Sequence, residues 1–334
     1  MTVQHALNTT PLLDVSDLSV SFHQQTKAAV DRVSFSVRAG SITGLVGASG
    51  AGKSSIARAI MGLVKTGSGE IRFRGDNILS MPAHQLKTTR QRIQMVFQEP
   101  SASLSPRRTI EQSLLEPMQH FGLGDNTQQR SKIRDTLATV GLDQDILRRY
   151  PHQFSSGQQQ RIAIARALVT SPDLLIADEA VSSLDVSIQA QILQLIKTLQ
   201  TEHNIAVLFI SHDLAAIAQV ADDIAVMLAG QLLEQSPAEL FFKGPAHPYS
   251  KELLSLADYT TAATLPARQW HLERRLSAAN DSSACVFSEN CTVKEPICDQ
   301  QEPVTKHIAS RNRRISAVHC VKCHLYDEAH THDP

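Results

Sequence analysis

Gly47, Gly50, Gly52, Lys53 and Ser54 fit the order G-x-x-x-x-G-K-[ST] within Gly47-Ala48-Ser49-Gly50-Ala51-Gly52-Lys53-Ser54. Glycines in such a loop take backbone angles closed to residues with a Cβ, so successive N–H groups can turn inward around a phosphate at the positive end of a following helix. At this spacing Lys53 reaches the β- and γ-phosphates and Ser54 holds Mg2+. Two carboxylates, Asp178 and Glu179, close the apolar run Leu174-Leu175-Ile176-Ala177. Beside a phosphate loop, Asp178 would complete the Mg2+ shell and Glu179 would activate the attacking water. His212 follows a second apolar run, Val207 to Ile210, where it could donate to the γ-phosphate. Gln98 leaves the run Ile93 to Phe97, where it could reach a metal-bound water. Taken singly, Gln98 and His212 read equally as solvated loop residues; taken together, these groups imply a nucleoside triphosphate site.

Strands and helices must carry these groups to one place. Ile42, Leu45 and Val46 predict a short buried strand before the loop, and Ser55 to Ile60 a helix after it. Leu174 to Ala177 reads as a central parallel strand covered on both faces, which puts Asp178 and Glu179 at its carboxyl end, where open α/β sheets bind ligands. Leu12 to Phe22 and Ala29 to Val37 alternate as two strands, and Gly67 to Gly75 adds a turn and strand to the same antiparallel layer. Phe22, at the end of the first, is either core or a ring free to stack on a purine base. From Arg108 to about Ala167 the apolar period becomes helical, an inserted helical unit. Within it Ser155 is an N-cap candidate, and Gly157 permits close approach of another group. Ile224 to Leu228 and Gln231 to Glu234 predict a last hairpin around Gly230.

A chain of 334 residues with 42% apolar residues can fill two domains, or one large domain with an appendage. Its net charge of −1 gives no basic footprint for nucleic acid. The start, MTVQHALNTTPLLDV, lacks the charged-then-apolar pattern of a signal peptide, and no apolar run approaches the length of a membrane span, so the chain is expected to stay in the cytosol. All five cysteines (Cys285, Cys291, Cys298, Cys320 and Cys323) lie near the C-terminus, which in a reducing compartment points to a metal or cluster rather than disulfides.

In their order these motifs resemble the ATP-binding subunit of an ABC transporter, over roughly Leu12 to Leu254. Gly47 to Ser54 is similar to the Walker A motif, Gln98 to the Q-loop, Ser155 to Gln158 to the signature motif, and Leu174 to Glu179 to Walker B. Ser182-Ser183-Leu184-Asp185 resembles the D-loop and His212 the switch histidine. The resemblance implies an α/β P-loop NTPase core, an antiparallel β subdomain and a helical subdomain inserted at about 100–170, with residues 255–334 as a small cysteine-containing tail. It implies ATP held by Phe22, Gly47, Ser49, Gly50, Ala51, Gly52, Lys53, Ser54, Ser55 and Gln98, with Mg2+ on Ser54, Gln98 and Asp178. Glu179 and His212 are then catalytic. Ser155, Gly157, Gln158 and Asp185 serve a composite site, since two such domains close head to tail over ATP. Two departures stand out: Ser156 replaces the first of two usual glycines in the signature, and Ala180 replaces the usual Pro after Walker B.

Phe97-Gln98-Glu99-Pro100, Leu104-Ser105-Pro106-Arg107, Tyr150-Pro151-His152-Gln153-Phe154 and His247-Pro248-Tyr249 resemble the dipeptide and oligopeptide importer branch, which includes nickel and antimicrobial-peptide systems. That implies a second ABC ATPase, two integral membrane permease subunits, an extracytoplasmic substrate-binding protein, and a place on the cytoplasmic face of the inner membrane. A soluble, non-transport ABC ATPase is the alternative. In this branch the tail is associated with a [4Fe–4S] cluster, here on Cys285, Cys291, Cys298 and Cys323. Zinc near Cys320-x2-Cys323 with His319 and His324, or free thiols, are the rival readings. Cys320 matches no position of the branch.

Overall fold

The structure is a computed structural model that describes residues 11–22, 27–99, 103–182, 184–256, 284–308 and 319–327. Pro100 and Ser183, both named among the motifs, lie outside the described residues. The chain begins with strands β1 (Leu13–Val20) and β2 (Val30–Val37), whose alternating burial marks one packed and one wetter face. Strand β3 (Ile42–Gly47) is buried throughout and leads through the glycine loop into helix α1 (Lys53–Ile60). Next come β4 (Ser68–Phe73), β5 (Asp76–Asn77), helix α2 (Ala83–Arg92) and β6 (Ile93–Val96). Helices α3 (Ile110–Phe121), α4 (Asn126–Thr139) and α5 (Ser156–Leu168) form the inserted helical unit.

The second half of the core alternates strand and helix: β7 (Leu174–Asp178), α6 (Val186–His203), β8 (Ala206–Ser211), α7 (Leu214–Val220), β9 (Asp223–Leu228) and β10 (Gln231–Pro237). Short helix α8 (Ala238–Lys243), helix α9 (Pro248–Leu256) and strands β11 (Thr305–His307) and β12 (Cys320–Lys322) follow. One sheet is antiparallel, in the order β2-β1-β4-β5. The other runs β11-β12-β10-β9-β3-β8-β7-β6. Its middle, from β9 to β6, is parallel, and the tail hairpin extends it through antiparallel pairing of β12 with β10.

Parallel strands covered on both faces read as unbroken apolar runs, and here successive residues feed opposite cores. In β8, Val207 and Phe209 join the core that contains the helical unit, while Leu208 and Ile210 join the core under the antiparallel sheet and α1. Full burial of each such side chain contributes roughly 1.5–3 kcal/mol. Two cores built on one sheet therefore hold its carboxyl edge rigid, and β3, β7 and β8 all end on that edge. Among the described residues no helix is long and apolar enough to cross a membrane.

Candidate nucleotide-binding site

The glycine loop turns from β3 into α1 with Gly52 at the helix N-cap, at φ +101°. A Cβ on Gly52 would lie 2.3 Å from the Ala29 carbonyl oxygen, so both backbone angle and space exclude a larger residue. Outward of Gly50 nothing lies within 4 Å of a Cβ position, which leaves that side of the loop open to a ligand. No side chain caps α1, so the first N–H groups of that helix face the loop's concavity, where an anion is favoured. Lys53 is buried and its Nζ donates to the carbonyls of Gly47, at 2.8 Å, and Ala48, at 3.0 Å. Its ammonium thus sits inside the loop it would serve.

The acid at the end of β7 meets this loop. Ser54 Oγ donates to Asp178 Oδ1 at 2.9 Å, joining the start of α1 to the end of β7. Burial pushes the Asp178 carboxyl up, partly offset by that hydrogen bond, and the neighbouring Glu179 pushes it further. A divalent cation at this pair would remove that strain, because a hydroxyl and a hard carboxylate are the oxygen ligands Mg2+ takes.

Glu179 follows β7 at φ +52°, a left-handed angle that costs a non-glycine residue on the order of 1 kcal/mol and is found most often at functional positions. Its N–H donates to the Ile210 carbonyl at 2.9 Å, and its carboxylate faces His212 Nδ1 at 2.7 Å. Burial would raise the Glu179 carboxyl, but the bond and charge of His212, with Lys53 behind, hold it below the usual carboxylate range. The same bond raises His212 above the ordinary histidine value against the opposing effect of burial. Each partner favours the charged form of the other.

Gln98 is exposed past β6, with Nε2 3.5 Å from Ser182 Oγ; Ser182 Oγ in turn donates to the Glu179 carbonyl at 3.0 Å. Phe22 lies outside the core, 36% exposed just beyond β1. The first-named site residues are therefore gathered at one edge. Signature residues stand elsewhere: Ser155 caps α5 in a reciprocal box with Gln158, and Ser155, Ser156 and Gln158 all face solvent. Gly157 is buried instead, where a Cβ would lie 2.4 Å from Ile188 Cγ2. The group that approaches it closely within this chain is α6. Asp185, at the N-cap of α6, is exposed and makes no side-chain capping bond.

In the tail, Cys285, Cys291, Cys298 and Cys323 line one pocket with Phe287 and His247, while Cys320 lies outside it, its Sγ 3.2 Å from His307 Nδ1. Of the histidines that are candidates for zinc, His319 bonds Glu234 through Nε2, and His324, which lines the pocket, has Nδ1 on Asp327 and Nε2 on the Gln301 carbonyl. Among the described residues no group of three or more His, Cys, Asp or Glu is arranged to hold a metal ion. The contact that sequence reasoning missed is Tyr249, whose hydroxyl accepts the Ala48 N–H at 3.3 Å. An aromatic after a proline carries no sign of which loop it will touch.

Residues 30–182 match the family model described as ABC transporter, and residues 233–298 the one described as oligopeptide/dipeptide transporter, C-terminal region. The oligopeptide transport ATP-binding protein AppF of Bacillus subtilis is 42% identical over 89% of each chain. Oligopeptide transport ATP-binding protein OppF of Salmonella typhimurium is 39% identical over 88% of this chain and 92% of its own length. The structure of cbiO1 from Clostridium perfringens, part of the ABC transporter complex cbiONQ, shares the fold with a TM-score of 0.64 at 24% identity, over 79% of this chain and 99% of that one. A phosphate loop backed by paired acids, with identity of this extent over nearly the whole length, leaves one conclusion: the chain belongs to the ABC transporter family, in its oligopeptide-transport ATP-binding branch, and is an ATPase of that kind.

Proposed function

We propose that this chain hydrolyses ATP to drive peptide uptake, as one of two cassettes seated on two integral membrane permease subunits at the cytoplasmic face of the inner membrane. An extracytoplasmic binding protein delivers the peptide. The observation that carries the reading is the carboxyl edge of β7 and β8, where Ser54, Asp178, Glu179 and His212 converge on the loop that holds Lys53. Its supports for peptide are the matched C-terminal region and the printed names of the relatives.

In this reading the loop amides and Lys53 grip the β- and γ-phosphates, and Phe22 stacks on the adenine. Ser54, Asp178 and Gln98 would hold Mg2+, which when bound would supply positive charge against the transferred phosphoryl group. Glu179, held ionised by His212, orients and deprotonates the attacking water; His212 keeps that carboxylate in place and donates to the γ-phosphate. The solvent-facing cap of α5 is built for a second molecule: Ser155 and Gln158 cover a partner's ATP, and Asp185 lies at the seam. Ser156 puts a Cβ at that covering surface.

Four thiols are the donor set that a [4Fe–4S] cluster takes, and its assignment here rests on the resemblance of the tail to the oligopeptide-importer branch, since among the described residues the sulfurs are not arranged to hold a metal ion. Burial first, and then the neighbouring cysteines, push Cys323 up to about 11 and raise Cys285 and Cys291 as well, so without a cation these sulfurs stay protonated. Bound iron would supply positive charge there and favour the thiolate form of these cysteines.

The test is purification of the chain with its membrane partners into vesicles. ATP hydrolysis stimulated by binding protein loaded with peptide is the expected result. Stimulation by a loaded nickel-binding protein but by no peptide would overturn the substrate assignment.

A further inference from the structure

The segment Ala246 to Tyr249 touches both the phosphate loop and the thiol pocket. Strand β10 pins its backbone: the buried Glu234 carboxylate accepts the N–H groups of Ala246, at 2.7 Å, and His247, at 2.9 Å. His247 Nδ1 then accepts the Tyr249 N–H at 3.0 Å. From this fixed base the Tyr249 ring, wholly buried, runs toward the loop and presents its hydroxyl to the Ala48 N–H at 3.3 Å.

Ala48 opens the turn, and the two peptide groups that flank its Cα are each held, by Tyr249 at the N–H and by Lys53 at the carbonyl. The Tyr249 ring also packs on Phe287, with ring centroids 5.5 Å apart and planes inclined at 59°. Phe287 is itself buried and lines the pocket with Cys285, Cys291, Cys298 and Cys323. With the backbone of the segment pinned, a shift of Phe287 is relieved by tilting the Tyr249 ring, and the tilt carries the hydroxyl away from Ala48. Packed interiors transmit such displacements because they have no free volume to absorb them.

We propose that Tyr249 is a positioning residue for the phosphate loop, and that through Phe287 it makes the loop's grip on nucleotide depend on the packing of the thiol-lined pocket. The inference rests on this chain binding ATP, and it is independent of what the pocket holds. The loop's first turn is thereby set before nucleotide arrives, which lowers the ordering cost of binding.

A double-mutant cycle on the full chain tests it, with Mg2+ and a non-hydrolysable ATP analogue as the probe and all cysteines left native. Tyr249→Phe, which keeps the ring and removes the hydroxyl, weakens binding about three- to tenfold, the worth of one net hydrogen bond. In steady state it raises KM for ATP more than it lowers kcat. Phe287→Leu weakens binding in the wild-type background and adds nothing in the Tyr249→Phe background, the mark of a shared route. Unchanged affinity in Tyr249→Phe, with or without a lowered thermal midpoint, overturns the positioning role. Additive losses in the double variant overturn the link to the pocket. Iron and sulfide measured on the same samples report separately on the cluster, so neither proposal stands or falls with the other.

Discussion

Glu179 Oε2 and His212 Nδ1 lie 2.7 Å apart, delivered by the ends of β7 and β8, adjacent parallel strands in which Asp178 registers opposite Ile210. Two residues 33 positions apart in sequence thus meet because each is the first residue beyond a buried strand, and the sheet's register does the rest. The left-handed angle at Glu179 aims its carboxylate sideways to His212 instead of along the strand.

That pairing gives stability a pH signature. His212 is raised above 6.5, so its contribution is fully present below pH 6.5 and fades as pH rises through the higher folded value. Glu179 is lowered below 4.5, so its contribution is present above pH 4.5 and fades as pH falls through the lower folded value. Both act together between pH 4.5 and 6.5. The His212 side chain is 40% exposed, which screens the pair to about 1 kcal/mol or less. The melting temperature of the nucleotide-free chain, wild type minus His212→Ala, is expected to peak in that window and decline on either side; a flat difference would refute the pairing.

Gly157 makes a separate prediction about packing. With only 2.4 Å between a new Cβ and Ile188 Cγ2, Gly157→Ala overpacks the α5–α6 contact and costs about 1–3 kcal/mol. Ile188→Val keeps Cγ2 and relieves little, whereas Ile188→Ala in the same chain restores much of the loss. Urea unfolding of the three variants checks this, and an undiminished midpoint for Gly157→Ala would show that the two helices are not in this contact.

For the tail, iron content should separate the cysteines by position. Cys323→Ser, inside the pocket, is expected to lose bound iron and sulfide, while Cys320→Ser, outside it beside His307, keeps the wild-type stoichiometry. Equal retention in both variants would remove Cys323 from the ligand set, and a wild-type chain without iron and sulfide would remove the cluster from the account.

Much of this arrangement is legible in residue order. The G-x-x-x-x-G-K-S run and the acids after a buried strand carry their chemistry locally, and period-two burial announces β1 and β2. What a linear pattern does not encode is which distant groups share a side. That Gly157 faces Ile188, that Tyr249 reaches Ala48, and that the ring nitrogens of His319 and His324 bond Glu234, Asp327 and Gln301 depend on how helices and tail settle on the sheet. Spacing alone suggested a zinc site at Cys320 and Cys323. The strand pairing of β12 with β10 separates that pair, since alternation along β12 sends Cys320 to one face while Val321 and Cys323 enter the small core with Ala246.

The central claim is that Glu179 activates water against an ATP held by Lys53 and the loop amides. It is tested most directly by Glu179→Gln in the assembled complex, with bound nucleotide identified after rapid removal of free ATP. Loss of a general base lowers turnover by about 10²–10⁴-fold, so the variant is expected to retain intact ATP at the site containing Gln in place of Glu179. Recovery of ADP there at the wild-type rate would contradict the account.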